Sequence, residues 1–123
     1  FQLMEAPVGR LSTHVLDLAA GKPAPGMKLR LVRLEAGSES LVTERVTNSD
    51  GRTDEPLLIG DAVKAGVYVL TFFVRDYFEA HGGDNSSPFL DEVPLRFCIA
   101  DGAQHYHVPL LVTPWSFSTY RGS

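Results

Sequence analysis

The amino-acid sequence predicts an all-β protein, a two-sheet sandwich of seven or eight short strands with one short helix. Apolar and polar residues alternate in runs such as Met27–Leu34, which is typical of strands with one buried face. Turn residues recur at short intervals between these runs, with Asp50-Gly51 as the clearest pair. Helical character is confined to residues 75–81, and Gly82-Gly83 is expected to end the helix.

Each strand is predicted from its composition and from the turn beside it. The first strand begins at Leu11 and leads to the turn Lys22–Gly26, because proline fixes φ and glycine supplies a positive φ. A polar turn is expected at Ala36–Ser40 and a loop at Asp84–Pro88. The run Gly66–Val74 is the most β-prone of the chain, since it is rich in β-branched and aromatic residues. The predicted strands span residues 11–16, 27–34, 41–47, 66–74, 92–100, 105–112 and 116–120.

The length of 123 residues suits a single domain. We expect this domain to span residues 11–123 and to follow an N-terminal extension, residues 1–10. Within the extension, Met4 is expected to be the natural start and Phe1–Leu3 to be foreign to the protein. Neither a membrane-spanning segment nor a signal peptide is expected, because the sequence has no run of about 20 apolar residues and no basic start before an apolar stretch.

Charge and cysteine content narrow the expected partners and compartment. The net charge is -4, and none of the 11 basic residues belongs to a cluster that could bind phosphates, so nucleic acid is not an expected partner. Cys98 is the only cysteine and cannot form an intramolecular disulfide. Its place in a predicted strand indicates a small buried side chain. A single thiol suits a reducing compartment, so we expect the protein to be cytoplasmic.

Histidines on two predicted strands lie on faces that do not belong to the core. His105 and His107 are two residues apart and therefore share one face of their strand. The alternate residues form an apolar face that must pack inward: Tyr106, Val108, Leu110 and Val112. In the first strand, His14 is opposite the inward candidates Thr13 and Val15. The spacing leaves two interpretations open, a functional site or a pair of surface histidines.

Other candidate residues are ordinary when each is taken alone. His81 ends the predicted helix, where a cation interacts favourably with the helix dipole. Arg52 and Arg121 would be surface arginines, although a guanidinium is a fixed fork of donors that suits a planar anionic ligand. A His-x-His pair on a strand together with a third histidine can also build a zinc site with an open position for water. A zinc-dependent hydrolase is therefore one alternative.

Several segments resemble the signatures of the transthyretin-related hydrolases. The opening signature corresponds to Leu11–Asp17 followed by Gly21–Ala24, and the arginine turn of that family corresponds to Asp50–Arg52. The closing signature corresponds to His105–Leu111 followed by Ser118–Ser123. The Tyr-Arg-Gly-Ser ending is specific, because it separates the enzymes of the family from transthyretin itself. The resemblance runs from about Leu11 to the C-terminus.

This resemblance implies a transthyretin-like (prealbumin-like) β-sandwich that assembles as a homotetramer, with active sites in a channel at the dimer–dimer interface. The activity it implies is the hydrolysis of 5-hydroxyisourate, a cyclic amide formed by urate oxidation, without a metal or other cofactor. A small-molecule carrier of the transthyretin type, without catalysis, is the second alternative, because one fold can serve several functions.

The resemblance also implies a role for individual residues. His14 and His107 would hold and deprotonate a water molecule, since imidazole titrates near neutral pH. Arg52 would bind the ring of the substrate and stabilise developing negative charge. The remaining residues would bind substrate or shape the site: Tyr120 and Ser123 as hydrogen-bond donors, Arg121 and Gly122 at the terminus, and His105 behind the site or at the channel mouth.

Overall fold

The computed structural model describes residues 8–82 and 87–123, and it confirms the predicted all-β fold with one short helix. Residues 1–7 lie outside this part, as does most of the loop predicted at Asp84–Pro88. The described elements are β1 (Arg10–Ser12), β2 (Val15–Asp17), β3 (Lys22–Pro23), β4 (Lys28–Glu35), β5 (Ser38–Val46), β6 (Leu58–Ile59), a 3-10 helix (Gly60–Ala62), β7 (Gly66–Phe73), α1 (Val74–Ala80), β8 (Glu92–Ile99), β9 (His105–His107), β10 (Leu110–Val112) and β11 (Phe117–Thr119).

One layer of the sandwich is an antiparallel sheet in the order β5-β4-β7-β8. The turn between β4 and β5 is shorter than the predicted Ala36–Ser40, because Ala36 and Gly37 alone reverse the chain and β5 begins at Ser38. Both turn residues have positive φ, 47° and 81°, as a two-residue hairpin with the twist of the strands requires. Helix α1 starts at Val74, one residue earlier than predicted, and Val74 is buried there.

The other layer consists of two short sheets, β6-β1-β9 and β11-β10-β2-β3. In it the strand predicted at residues 11–16 is divided into β1 and β2, and the strand predicted at 105–112 into β9 and β10. The pairs β1·β9 and β2·β10 are both parallel, so the two interrupted strands run side by side. The seven predicted strands are therefore present, two of them in two parts, together with the unpredicted two-residue strands β3 and β6.

The core lies between the layers and confirms the predicted inward faces. Tyr106, Val108, Leu110 and Val112 are all buried, and they belong to the same apolar cluster as Leu31 of β4. The prediction for Cys98 is wrong, since its thiol is exposed. On β8 the inward positions are Val93 and Ile99, and the alternation of side chains places Cys98 on the opposite face.

Helix α1 is fixed to the second layer by a buried hydrogen bond. The Tyr77 hydroxyl donates to Oδ2 of Asp17 at 2.8 Å, and burial together with this carboxylate raises the pKa of the phenol. His81 caps the C-terminus of α1, as predicted, and its Nδ1 donates to the Tyr77 carbonyl at 2.9 Å. In residues 8–82 and 87–123, no helix has the length and apolarity needed to cross a bilayer.

Candidate active site

The site forms where the two parallel strands of the second layer are interrupted. The strands stay joined at this level, because the amide of Val108 donates to the carbonyl of Ser12 and the amide of Leu110 to that of His14, each at 2.9 Å. The side chain of Thr13 is buried between them and donates to the carbonyl of Val108 at 2.7 Å. These hydrogen bonds fix the interruption in one geometry. Thr13 and His14 lie in it, between β1 and β2.

The arginine turn packs directly against this interruption. The amide of Val15 donates to the carbonyl of Gly51 at 2.8 Å, and His14 forms an isolated bridge with Arg52. A side chain at position 51 would place its Cβ 2.3 Å from the carbonyl oxygen of Val15, and the φ of Gly51 is 74°. Only glycine satisfies both conditions. The turn thus holds Arg52 next to the strand that carries His14.

Nε2 of His14 lies 2.8 Å from the carbonyl oxygen of Asp50 in the same turn. A carbonyl can only accept, so Nε2 of His14 carries a proton and donates it. The remaining nitrogen, Nδ1, is the one that could contact water or substrate.

The C-terminal tail is held against His107. Backbone hydrogen bonds join His107 and Gly122 in both directions, at 3.1 and 2.7 Å. A Cβ at position 122 would lie 3.2 Å from Cβ and 3.3 Å from Cδ2 of His107, closer than side chains normally pack. The absence of a side chain at Gly122 therefore allows the tail to lie flat beside the imidazole. Ser123 follows immediately and reaches the same groove as His107.

This groove has a volume of about 410 Å³ and is lined by four of the eight predicted site residues, Arg52, His105, His107 and Ser123. His14 and Gly122 are not among its lining residues, although they pair with Arg52 and His107. Sequence reasoning missed Arg10 and Ser12, which face the groove from β1. The full lining is Arg10, Ser12, Thr13, Arg52, Thr53, Asp54, Glu55, Pro56, His105, Tyr106, His107 and Ser123.

His105 has both of its ring nitrogens engaged. Nη2 of Arg10 is 3.4 Å from Nδ1, and the carbonyl oxygen of Val8 is 2.9 Å from Nε2. A guanidinium only donates and a carbonyl only accepts, so Nδ1 of His105 is unprotonated and Nε2 carries the proton. His105 lies at the exposed end of the groove, and neither nitrogen is free to act as a base.

Tyr120 and Arg121 do not line the groove that holds His107. They face a second groove of about 310 Å³, which they share with residues of β8 including Cys98. Arg121 donates to the carbonyl of His105 at 3.1 Å, and its guanidinium lies 4.5 Å from the ring centre of Tyr106. Arg121 thus anchors the tail. Tyr120 is 61% exposed and lies outside the groove of its own chain.

The electrostatic surroundings of His107 favour its neutral form. Its pKa is lowered from the usual imidazole value, first by burial, then by the positive charge of Arg52 and by His14. Nδ1 of His107 lies 2.9 Å from the Ser12 hydroxyl, and this is the one hydrogen bond to the ring within the part of the chain that the structure describes. A neutral imidazole with a free nitrogen, next to a guanidinium, can remove a proton from water and stabilise the charge that results.

The histidines do not converge as a zinc site would require. Three imidazole lone pairs would have to point to one position, whereas His105 uses both nitrogens and His14 donates through Nε2. No cluster of three or more His, Cys, Asp or Glu side chains with metal-binding geometry is found among residues 8–82 and 87–123.

Comparison with known proteins identifies the class to which this fold and groove belong. The family model of the HIUase/Transthyretin family matches residues 11–122, and the chain belongs to this family. A 5-hydroxyisourate hydrolase from Deinococcus radiodurans is 56% identical over 113 residues, which cover 92% of this chain and 95% of that protein.

Two solved structures are similar over almost the whole chain. The 5-hydroxyisourate hydrolase of Klebsiella pneumoniae is 33% identical with a TM-score of 0.78, covering 94% of this chain and 99% of that one. An (S)-allantoin synthase is 50% identical with a TM-score of 0.89, covering 95% of this chain. The matched region is 44% of the synthase, so this chain corresponds to less than half of that protein.

The lowered pKa of His107 leads to a prediction that does not depend on activity. In an NMR titration, His107 should titrate below the usual imidazole value of about 6.5. Arg52→Ala should raise this pKa, because it removes a positive neighbour, whereas Arg52→Lys should largely preserve it because the charge is kept. His81, at the far end of α1, serves as an internal reference that should not respond. An unchanged His107 pKa in Arg52→Ala would contradict this electrostatic account.

Proposed function

We propose that this protein is a hydrolase that opens the ring of 5-hydroxyisourate and gives 2-oxo-4-hydroxy-4-carboxy-5-ureidoimidazoline. The observation that carries the proposal is the placement of His107, a histidine with a lowered pKa and a free ring nitrogen, in one groove with Arg52 and Ser123. Relatives that are named 5-hydroxyisourate hydrolase and match over nearly the whole chain support it.

The reaction assigns a separate task to each group. Nε2 of His107 takes a proton from water as the water oxygen attacks C6, and Arg52 stabilises the oxyanion that forms there. The N1–C6 bond then breaks, and the proton held by His107 passes to N1. The water thereby supplies the hydroxyl group of the new carboxyl group at C6 and the proton on N1. His14 orients water through Nδ1, and Ser123 donates a hydrogen bond to the bound ring.

The transthyretin-like carrier remains the alternative function for this fold. A carrier needs a complementary cavity, but it does not need a base of lowered pKa beside a guanidinium. Groups whose pKa is shifted by burial and by a neighbouring charge are frequent at catalytic sites. The surroundings of His107 therefore favour the hydrolase.

We further propose that the protein works as a homotetramer with its sites at the dimer–dimer interface, in the cytoplasm. Tyr120 is exposed outside the groove of its own chain, so contact with a substrate in such a groove requires Tyr120 of a neighbouring subunit. The exposed apolar side chains of Leu18 and Trp115, at the end of the sheet that contains β2 and β10, provide surface for such an interface. A free exposed Cys98 suits a reducing compartment.

The central kinetic prediction concerns His107. With freshly generated 5-hydroxyisourate, His107→Ala should lower kcat/KM by roughly 100-fold or more, because the proposed base for the attacking water is removed. Arg52→Ala should cause a loss of similar size through the oxyanion. His81→Ala is the matched control, since His81 is outside the groove. Wild-type kcat/KM in both groove variants would show that the assignment is wrong.

A second prediction concerns the close approach of the tail to His107. Gly122→Ala should reduce kcat/KM by roughly 10- to 100-fold, because the added methyl group displaces the imidazole by a few tenths of an ångström. The same change at Gly37, in the distant β4–β5 turn, should leave the activity of the folded protein unchanged. Full activity of Gly122→Ala would mean that the position of the ring does not depend on the tail.

The tetramer can be tested by mass and by subunit mixing. Light scattering should give four times the chain mass of 13.5 kDa. His107→Ala and Tyr120→Ala should each have strongly reduced activity alone, and co-expression of the two chains should restore part of the activity, because some sites then combine intact His107 and Tyr120. A monomer with full activity, or no recovery in the mixed assembly, would refute a site shared between subunits.

A further inference from the structure

We propose that Ser12 is a positioning residue that fixes the tautomer of His107, by accepting a hydrogen bond from the Nδ1 proton and so leaving Nε2 free as the base. This inference rests on the proposed hydrolase function for its kinetic consequence. The location of the proton on the neutral His107 ring can be measured without any substrate.

The geometry holds the Ser12 hydroxyl in place opposite the ring. Ser12 and His107 are direct partners in the parallel pairing of β1 and β9, and Oγ lies 2.9 Å from Nδ1. The carbonyl of Ser12 accepts from the amide of Val108 at 2.9 Å. On its far side, the backbone of His107 is paired with Gly122. Both members of the contact are therefore fixed by backbone hydrogen bonds.

The direction of the hydrogen bond follows from the chemistry of the base. A serine hydroxyl can donate or accept, but a neutral imidazole carries only one proton. If Ser12 donated to Nδ1, the proton would reside on Nε2 and His107 could not take another there. If Ser12 accepts, Nε2 has a free lone pair. When Nε2 then takes a proton from water, the bond from Nδ1 to Ser12 becomes charge-assisted and stronger.

The neighbouring pair on the same two strands shows the opposite arrangement. Two residues before Ser12, Arg10 faces His105 and donates to its Nδ1, which forces the proton of His105 onto Nε2. Strand β1 thus presents a pure donor to His105 and a possible acceptor to His107. This difference explains why His107 can act as a base and His105, on the same face of β9, cannot.

The experiment begins with the wild-type protein and selective ¹⁵N labelling of histidine rings. At a pH where His107 is neutral, Nδ1 should show the shift of a protonated nitrogen and Nε2 that of an unprotonated one. In Ser12→Ala the population should move toward the Nε2–H tautomer, because the Nδ1 proton has lost its acceptor. A proton on Nε2 of His107 in the wild-type protein overturns the inference, even if every Ser12 variant fails to fold.

Kinetics provide the second readout. Ser12→Ala should lower kcat roughly ten- to a hundredfold with little change in KM, since it removes a hydrogen bond to a group that becomes charged. Ser12→Thr keeps the hydroxyl and should restore most of kcat. Ser40→Ala, on the exposed face of β5, is the control and should behave as wild type. An unchanged kcat in Ser12→Ala, or a loss of kcat without a tautomer change, overturns the positioning role.

The two proposals fail in distinguishable ways. If the wild-type protein does not accelerate ring opening of 5-hydroxyisourate, the hydrolase function is wrong. The tautomer of His107 is then decided by the NMR measurement alone. If the wild-type protein is active but Ser12→Ala is equally active, the function stands and the role of Ser12 is wrong.

Discussion

The parallel pairing that continues across the interrupted strands is the constraint on which the site depends. The backbone bonds from Val108 to Ser12 and from Leu110 to His14 carry the pairing over the gap, while Thr13 fills it. The same two strands also bind the arginine turn, through His14 and Arg52, and the C-terminal tail, through His107 and Gly122.

The tail and the imidazole of His107 stabilise one another. An isolated polar terminus frays, because ordering each residue costs about 1–2 kcal/mol of backbone entropy. Here two backbone bonds to His107 and the contact of Arg121 with the ring of Tyr106 offset that cost. In return, Gly122 packs flat against the imidazole and limits its movement. The order of the terminus is thus part of the geometry of the proposed base.

The alternation of apolar and polar residues predicted the core faces and the histidine face, because successive side chains of a strand point to opposite faces. The contact between Ser12 and His107 joins positions 95 residues apart, and no local pattern specifies which strands pair. The break at Thr13 in the first strand was missed because neither glycine nor proline marks it, whereas Pro109 marks the matching break in the partner strand. Cys98 was predicted to be buried because it is a small side chain in a predicted strand, but the alternation of β8 places Val93 and Ile99 inward and Cys98 on the opposite face. Roles for Tyr120 and Ser123 came from the family resemblance.

The most direct test of this account is the pH dependence of wild-type kcat/KM with freshly generated 5-hydroxyisourate, set beside the NMR titration of His107 on the same protein. The wild-type protein should accelerate ring opening strongly over spontaneous decay. The profile should have an acidic limb whose pKa coincides with that of His107 and lies below the usual imidazole value. No acceleration, or an acidic limb that does not follow the ionisation of His107, would contradict this account.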